Sequence, residues 1–300
     1  MNTVLSVLIA GHLVAVEVLA GVLLFLSVVV GPAHAGVPEL VLKRRSERVA
    51  LVCLAVATVT MIGWLWLVAA ALAGLRGLPS PEIVFNVLTT TPFGMVWGLR
   101  ALAVAFAVSA LIRGYDQRSG RSQAPLAWSL MVLISLTLAS RMATGDHPYA
   151  GVLLQMVHLA GSSVWVGGLV ALALLAWRMG ANDLAAWRKL PIARGRAYFW
   201  YFAGSMAAIL ASGAGMGWLL TGGRFSLGAY FDSVLAVKAG LAVGALAVGG
   251  VNRSVLVARL LSGKPRAAAA LWIGLALEGV LMVAVIGVSA MLELTPLPIR

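Results

Sequence analysis

The sequence holds a single cysteine, Cys53, and it lies inside an apolar run, so disulfides, a paired-cysteine metal site and a c-type haem attachment are all excluded. Charge is scarce too: 11% of residues are charged, where a soluble chain carries roughly a quarter. Acids are the scarcer sign, 10 against 22 Lys and Arg, which leaves a net charge of +12. An excess of that sign can mark a nucleic-acid-binding protein. Here the bases fall in short clusters between apolar runs, with no basic stripe and no interleaved aromatics, so no nucleic-acid partner is expected. No nucleotide-binding loop, catalytic triad or carboxylate pair occurs, so the chain reads as neither an enzyme nor a self-contained ATP-driven pump.

What is present is hydrophobic: 61% of the residues, with a mean hydropathy of +0.99. Apolar runs long enough to span a bilayer fall near residues 4–30, 48–74, 93–112, 126–143, 152–177, 198–220, 233–250 and 269–292. They are continuous and not alternating, which favours helices over a β-barrel, because a helix satisfies its own backbone in lipid. The fold expected is therefore all-α, a polytopic membrane bundle of about eight transmembrane helices, forming one domain over 1–300. Ala33-His34-Ala35 has the look of a signal-peptidase site. No Lys or Arg precedes the run near Val4 to Val30, however, and that run is about twice the length of a signal h-region, so a retained helix is expected.

Orientation follows from the bases. Lys43, Arg44, Arg45 and Arg48, then Arg113, Arg118 and Arg121, then Arg178, Arg188, Lys189, Arg194 and Arg196, then Arg253, Arg259, Lys264 and Arg266 follow runs one, three, five and seven. The other side has Arg76, Arg141, Arg224 and Arg300. Cytoplasmic loops collect positive charge, so both termini should face outward, into a periplasm or its equivalent, with lipid as the surrounding partner.

An internal three-helix repeat is also legible, 1–112 against 152–250, with 269–292 as a final helix. Each block opens on His-Leu (His12-Leu13, His158-Leu159), and its third helix carries a cation after a polar entry, Arg100 after Thr91-Pro92-Phe93-Gly94 and Lys238 after Tyr230-Phe231-Asp232-Ser233. Blocks running in the same direction imply a pseudo-twofold axis along the membrane normal.

Ionisable residues inside the runs are few: Glu17, Arg100, Lys238 and Glu278. Structural ion pairs between helices, or snorkelling of the cations, are one account of them; proton relay by Glu17 or Glu278 is another. Three of the four histidines are expected at one level: His12 two turns into the first helix, His158 two turns into the fifth, and His147 in the loop before it. Gln155, His158, Ser162 and Trp165 share a helical face. Glu17 points to another side of its helix from His12. Met142 and Met156 fall near the same level, as do Met95, Met216 and Met291. Neutral imidazole and thioether suit Cu(I), and Cu(II) would accept imidazole with Asp146 or Gln155. Packing accounts equally for methionines and for a lone histidine in apolar helices. Histidines on neighbouring helices are also how membrane cytochromes hold haem b, with His12 and His158 as the axial pair. Gly213 with Gly217, Gly240 with Gly244, and Gly161, Gly167 and Gly168 have spacings that allow close helix contacts.

The stretch Gln155-Met156-Val157-His158-Leu159-Ala160-Gly161-Ser162-Ser163-Val164-Trp165-Val166-Gly167-Gly168-Leu169 resembles the His-Leu then Trp-x-Gly-Gly pattern of the copper-resistance D (CopD) family of bacterial inner-membrane proteins. Thr91 to Arg100, Lys238, Asn252-Arg253, Glu278 and Thr295-Pro296-Leu297-Pro298 are similar to further segments of that family. The chain departs from it at Gly145-Asp146-His147-Pro148, where many relatives carry a Gly-His-Ala segment. The resemblance implies copper handling, with movement across the inner membrane and a periplasmic CopC-type copper-binding partner. Combined with the residues above, it leads to the expectation of copper uptake through an outer site of His12, His147, His158, Met142 and Met156. The alternatives are a haem b-binding redox protein and a non-transporting assembly or sensor subunit.

Overall fold

The structure, a computed structural model, describes residues 2–30, 37–116, 123–179 and 196–296. Ten α-helices are found among them: α1 (Asn2–Phe25), α2 (Val37–Leu72), α3 (Pro81–Thr90), α4 (Pro92–Asp116), α5 (Ala124–Leu138), α6 (Pro148–Met179), α7 (Arg196–Thr221), α8 (Tyr230–Val251), α9 (Val257–Leu261) and α10 (Ala267–Leu294). No strand occurs among the described residues. Among the described residues, seven helices are long and apolar enough to cross a membrane. The fourth apolar run, 126–143, forms α5, which has only 15 residues because the chain turns into a short 3-10 segment at Arg141–Ala143. The molecule is an all-α, multi-pass membrane bundle.

Two helices occupy its centre. In α1 and α6, 61% of the most apolar stretch is buried within the protein, against 17–33% in the other five spans, whose remaining surface is left to lipid. Small residues make the central contact: a Cβ on Gly21 would run into the Ser163 carbonyl and Gly167, and one on Gly167 would run into the Gly21 backbone. Gly21 meeting Ser163 and Gly167, with Glu17 meeting Ser162 four residues earlier, sets α1 and α6 parallel. Around this pair, α2 packs on α1 and α7 on α6, while α5 packs on α4 and α10 on α8. Gly161 and Gly168 likewise serve the α6–α7 contact, against Ser205, Ala208, Ile209 and Phe202. Gly240 and Gly244 face open space and make no helix contact among the described residues, contrary to what their spacing indicates.

Several expected boundaries shift for local reasons. Lys43 and Glu47 are one turn apart on α2 and 4.0 Å from each other, so the basic cluster after the first run is helical and not a loop. α2 ends where Gly74 takes φ +66 and Leu75 N–H donates back to the Ala70 carbonyl. α3 lies between two spans and was not anticipated. Its start signals are nonetheless plain in sequence: Ser80 caps the Ile83 N–H, Pro81 opens the first turn and Glu82 sits within it. The run expected at 233–250 continues to Leu261, because α8 passes through a π-helical turn at Asn252–Leu256 into α9. Arg253 is thereby inside the bundle and not in the loop after it.

Candidate functional site: two histidines held against the second helix of each half

His12 is fully buried. Its Nδ1 lies 3.0 Å from the Ala57 carbonyl and 3.2 Å from Thr60 Oγ1, both on α2. A carbonyl can only accept, so Nδ1 carries the hydrogen and the lone pair is on Nε2. The Thr60 hydroxyl donates to the Val56 carbonyl at 2.7 Å, which leaves its oxygen free to accept from the same imidazole N–H. Nε2 is buried with no hydrogen-bond partner. Trp64 closes the pocket edge-on, with ring centroids 5.9 Å apart, and the Arg100 guanidinium lies 5.2 Å over that indole. Arg100 is itself fixed by donating to Ser135 Oγ (2.9 Å) and to the Ser135 carbonyl (3.1 Å) on α5.

His158 is held in the same way on α7. Its Nδ1 is 3.2 Å from the Ile209 carbonyl and 3.1 Å from Ser212 Oγ, and the Ser212 hydroxyl donates to the Ala208 carbonyl. This imidazole is therefore also an Nδ1–H tautomer with the Nε2 lone pair available. Anchoring one ring nitrogen on a backbone carbonyl, so that the other is presented to a metal, is how metal-binding histidines are commonly oriented.

The structure does not bring the five expected ligands together. His12 precedes Gly21 by nine residues and His158 precedes Gly167 by nine. Nine residues rotate a helix by about half a turn, so each imidazole points away from the α1–α6 contact and toward its own neighbour, α2 or α7. They do not form the facing axial pair that haem b requires. His147 is exposed in the turn before α6, where its carbonyl accepts from Gly151 N–H. Met142 is buried against Gly151, about two turns from His158 along α6. Met156 is two residues from His158 and so lies on a different side of the helix.

The polar face of α6 is real, but it meets four neighbours because α6 is central. Gln155 accepts from Ser140, His158 faces α7, Ser162 bonds to Glu17 on α1, and Trp165 packs against Arg253. Glu17 keeps one carboxylate oxygen buried without a partner and lies in electrostatic range of Lys238. Lys238 also interacts with Glu293 and His158. Glu293 in turn faces Arg141 at 4.0 Å. A ladder of alternating charge thus runs from Arg141 through Glu293 and Lys238 to Glu17.

Glu278 belongs to a second cluster. It is fully buried, and its Oε1 accepts from Arg253 at 2.7 Å and its Oε2 from Asn252 Nδ2 at 2.7 Å. The guanidinium of Arg253 is sandwiched 4.4 Å from the rings of both Trp165 and Phe202. The π-helical turn is what lets two consecutive residues, Asn252 and Arg253, reach one carboxylate. Sequence reasoning expected the intramembrane ions to pair with one another and missed Arg253 because it was placed in a loop. It also missed Thr60 and Ser212, whose only signal is a hydroxyl inside an apolar run, and Ser135.

Among known proteins, 180 residues, 57% of this chain, are 28% identical to the copper transport protein CutJ of Bacillus subtilis (strain 168). The matched stretch covers 32% of CutJ, so the chain spans about a third of the length of this curated relative. No solved structure matches. Residues 1–147 match the family model of the copper resistance protein D-like N-terminal domain, and residues 192–292 match that of copper resistance protein D. The stretch containing His158 lies between the two matches. With α1–α5 in one and most of α7 to α10 in the other, the chain belongs to the copper resistance protein D family.

Proposed function

We propose that this protein handles copper at the bacterial inner membrane, taking copper from the periplasmic side and passing it inward between its helices. The observation that carries this is the tautomer imposed on both intramembrane histidines: each Nδ1–H is tied to a backbone carbonyl, and each Nε2 keeps the lone pair a soft cation needs. Both lie at similar depth, about 13–15 Å from the start of their spans at Thr3 and Pro148. The distribution of Lys and Arg puts those starts on the periplasmic side, which favours uptake. His147, exposed at the entrance to α6, is suited to first contact with copper delivered from outside, including by a CopC-type carrier. The charge ladder ending at Glu17 supplies a carboxylate for proton movement linked to that of the metal.

Copper titration and liposome flux test this reading. Purified protein in detergent should bind Cu(I), lose it in a His12→Ala/His158→Ala double variant, and lose affinity on acidification as protons compete for Nε2. Vesicles containing the wild type should accumulate copper and those with the double variant should not. Copper binding without flux would make the protein an assembly or sensor subunit; absence of binding would sink the copper reading.

A further inference from the structure

The surroundings of His12 and His158 match beyond the histidines. Thr60 follows Ala57 by three residues and Ser212 follows Ile209 by three, and each hydroxyl donates to the carbonyl four residues earlier. Leu8, four residues before His12, covers Gly63, where a Cβ would sit 3.0 Å away; Leu154, four before His158, covers Gly215 at the same 3.0 Å. Arg100 and Lys238 are each eight residues into their spans, and each acts electrostatically on the histidine of its own half. Each cation also reaches a fourth helix, Arg100 to Ser135 on α5 and Lys238 to Glu293 on α10. The repeat is therefore four helices long, α1-α2-α4-α5 against α6-α7-α8-α10, with Gly21 and Gly167 meeting at its axis.

From this we infer that the protein has two separate copper sites, one in each half, each made of a histidine Nε2 and a thioether from the next helix: His12 with Met61, and His158 with Met216. This rests on the copper reading above. Met61 is buried on α2 one turn from Ala57 and less than one turn from Trp64, both of which touch His12. Met216 is one turn from Ser212 on the face of α7 that receives His158, in the place that Trp64 holds on α2, so the halves match in how they hold the histidine and differ in where the thioether sits. Imidazole with thioether is a donor set for Cu(I). The halves differ in access and in charge. His12 is sealed under Trp64, whereas His158 is partly exposed and has Gly213 beside its ring. Arg100 bonds to a neutral serine, whereas Lys238 has Glu17 and Glu293 in range, so a cation at His158 meets less uncompensated positive charge. The His158 site is the tighter and the faster to exchange.

The test is Cu(I) stoichiometry on the full chain in detergent, read by competition with a colorimetric Cu(I) chelator. Two equivalents are expected in the wild type, one in His12→Ala, one in His158→Ala and none in the double variant. Met61→Leu and Met216→Leu, which keep side-chain volume and hence the fold, should each weaken one equivalent by at least ~10-fold and leave the other unchanged. A single equivalent in the wild type, abolished by either histidine variant, would overturn the two-site inference in favour of a shared site and leave the copper reading intact. Unchanged affinities in both methionine variants would overturn the ligand assignment. No copper in the wild type would instead remove the copper reading itself.

Discussion

At the contact between Gly21 and Gly167 the absence of a side chain is what allows two backbones to touch, and neither glycine has any room for a methyl group. Gly240, also mid-helix, faces open space. Gly167→Ala should therefore destabilise the protein by about 1–3 kcal/mol through overpacking, while Gly240→Ala should be neutral or stabilise by up to ~1 kcal/mol through helix propensity. Thermal unfolding of the two variants in detergent, followed by circular dichroism, distinguishes them; equal shifts would contradict the packing described. The sequence treated both glycines alike, since a small residue in an apolar run does not say whether a partner helix is present. The histidines were legible as candidates for the same reason that they are unusual, polar rings in apolar runs. Their direction was not, because it is set by where α2 and α7 pack and by hydroxyls whose role shows only when the helices are together.

At the level of elements, the π-helical turn joining α8 to α9 carries the most consequential polar contact, the buried Arg253–Glu278 pair. Removing one member leaves a charge without compensation. Arg253→Met should cost about 3–5 kcal/mol, and the double change Arg253→Met/Glu278→Leu should recover most of that loss. Chemical unfolding of wild type, both single variants and the double variant gives the coupling energy directly; an additive result would show that the pair is not an energetic unit. The eight apolar runs were readable because bilayer length is a strong constraint on composition. The continuation of the seventh run, 233–250, to Leu261 was not, because Asn252 and Arg253 look like the end of a membrane helix unless the buried Glu278 opposite them is known.

For the molecule as a whole, the alternation of basic clusters predicts which loops meet which compartment. The chain has a single cysteine, and it is buried, so single-cysteine labelling is clean. A membrane-impermeant maleimide should label Ser226→Cys, between α7 and α8, in intact cells, and should label Ser262→Cys, between α9 and α10, only after permeabilisation. The reverse pattern would invert the protein and with it the proposed direction of copper movement. The order of the apolar helices was available before the structure, whereas α3 between two of them was not. The central place of α1 and α6 was not, because both read simply as apolar runs, and their small residues reveal a close contact only once Gly21 and Gly167 are seen to meet.

The shortness of α5 has a consequence for the lipid. Fifteen residues reach about 22 Å, whereas the hydrocarbon layer is about 30 Å thick. The missing length is at the end of α5 where the turn with Ser140, Arg141 and His147 leads into α6, close to Gln155 and two turns from His158. Lipid around that corner must thin or tilt to avoid covering polar groups, at a cost of fractions of a kcal/mol per Å. Bilayer thickness then becomes a control variable: reconstituted protein should move copper faster in vesicles of 14-carbon lipids than in those of 22-carbon lipids, as the thinner membrane leaves a shallower barrier between water and the imidazole.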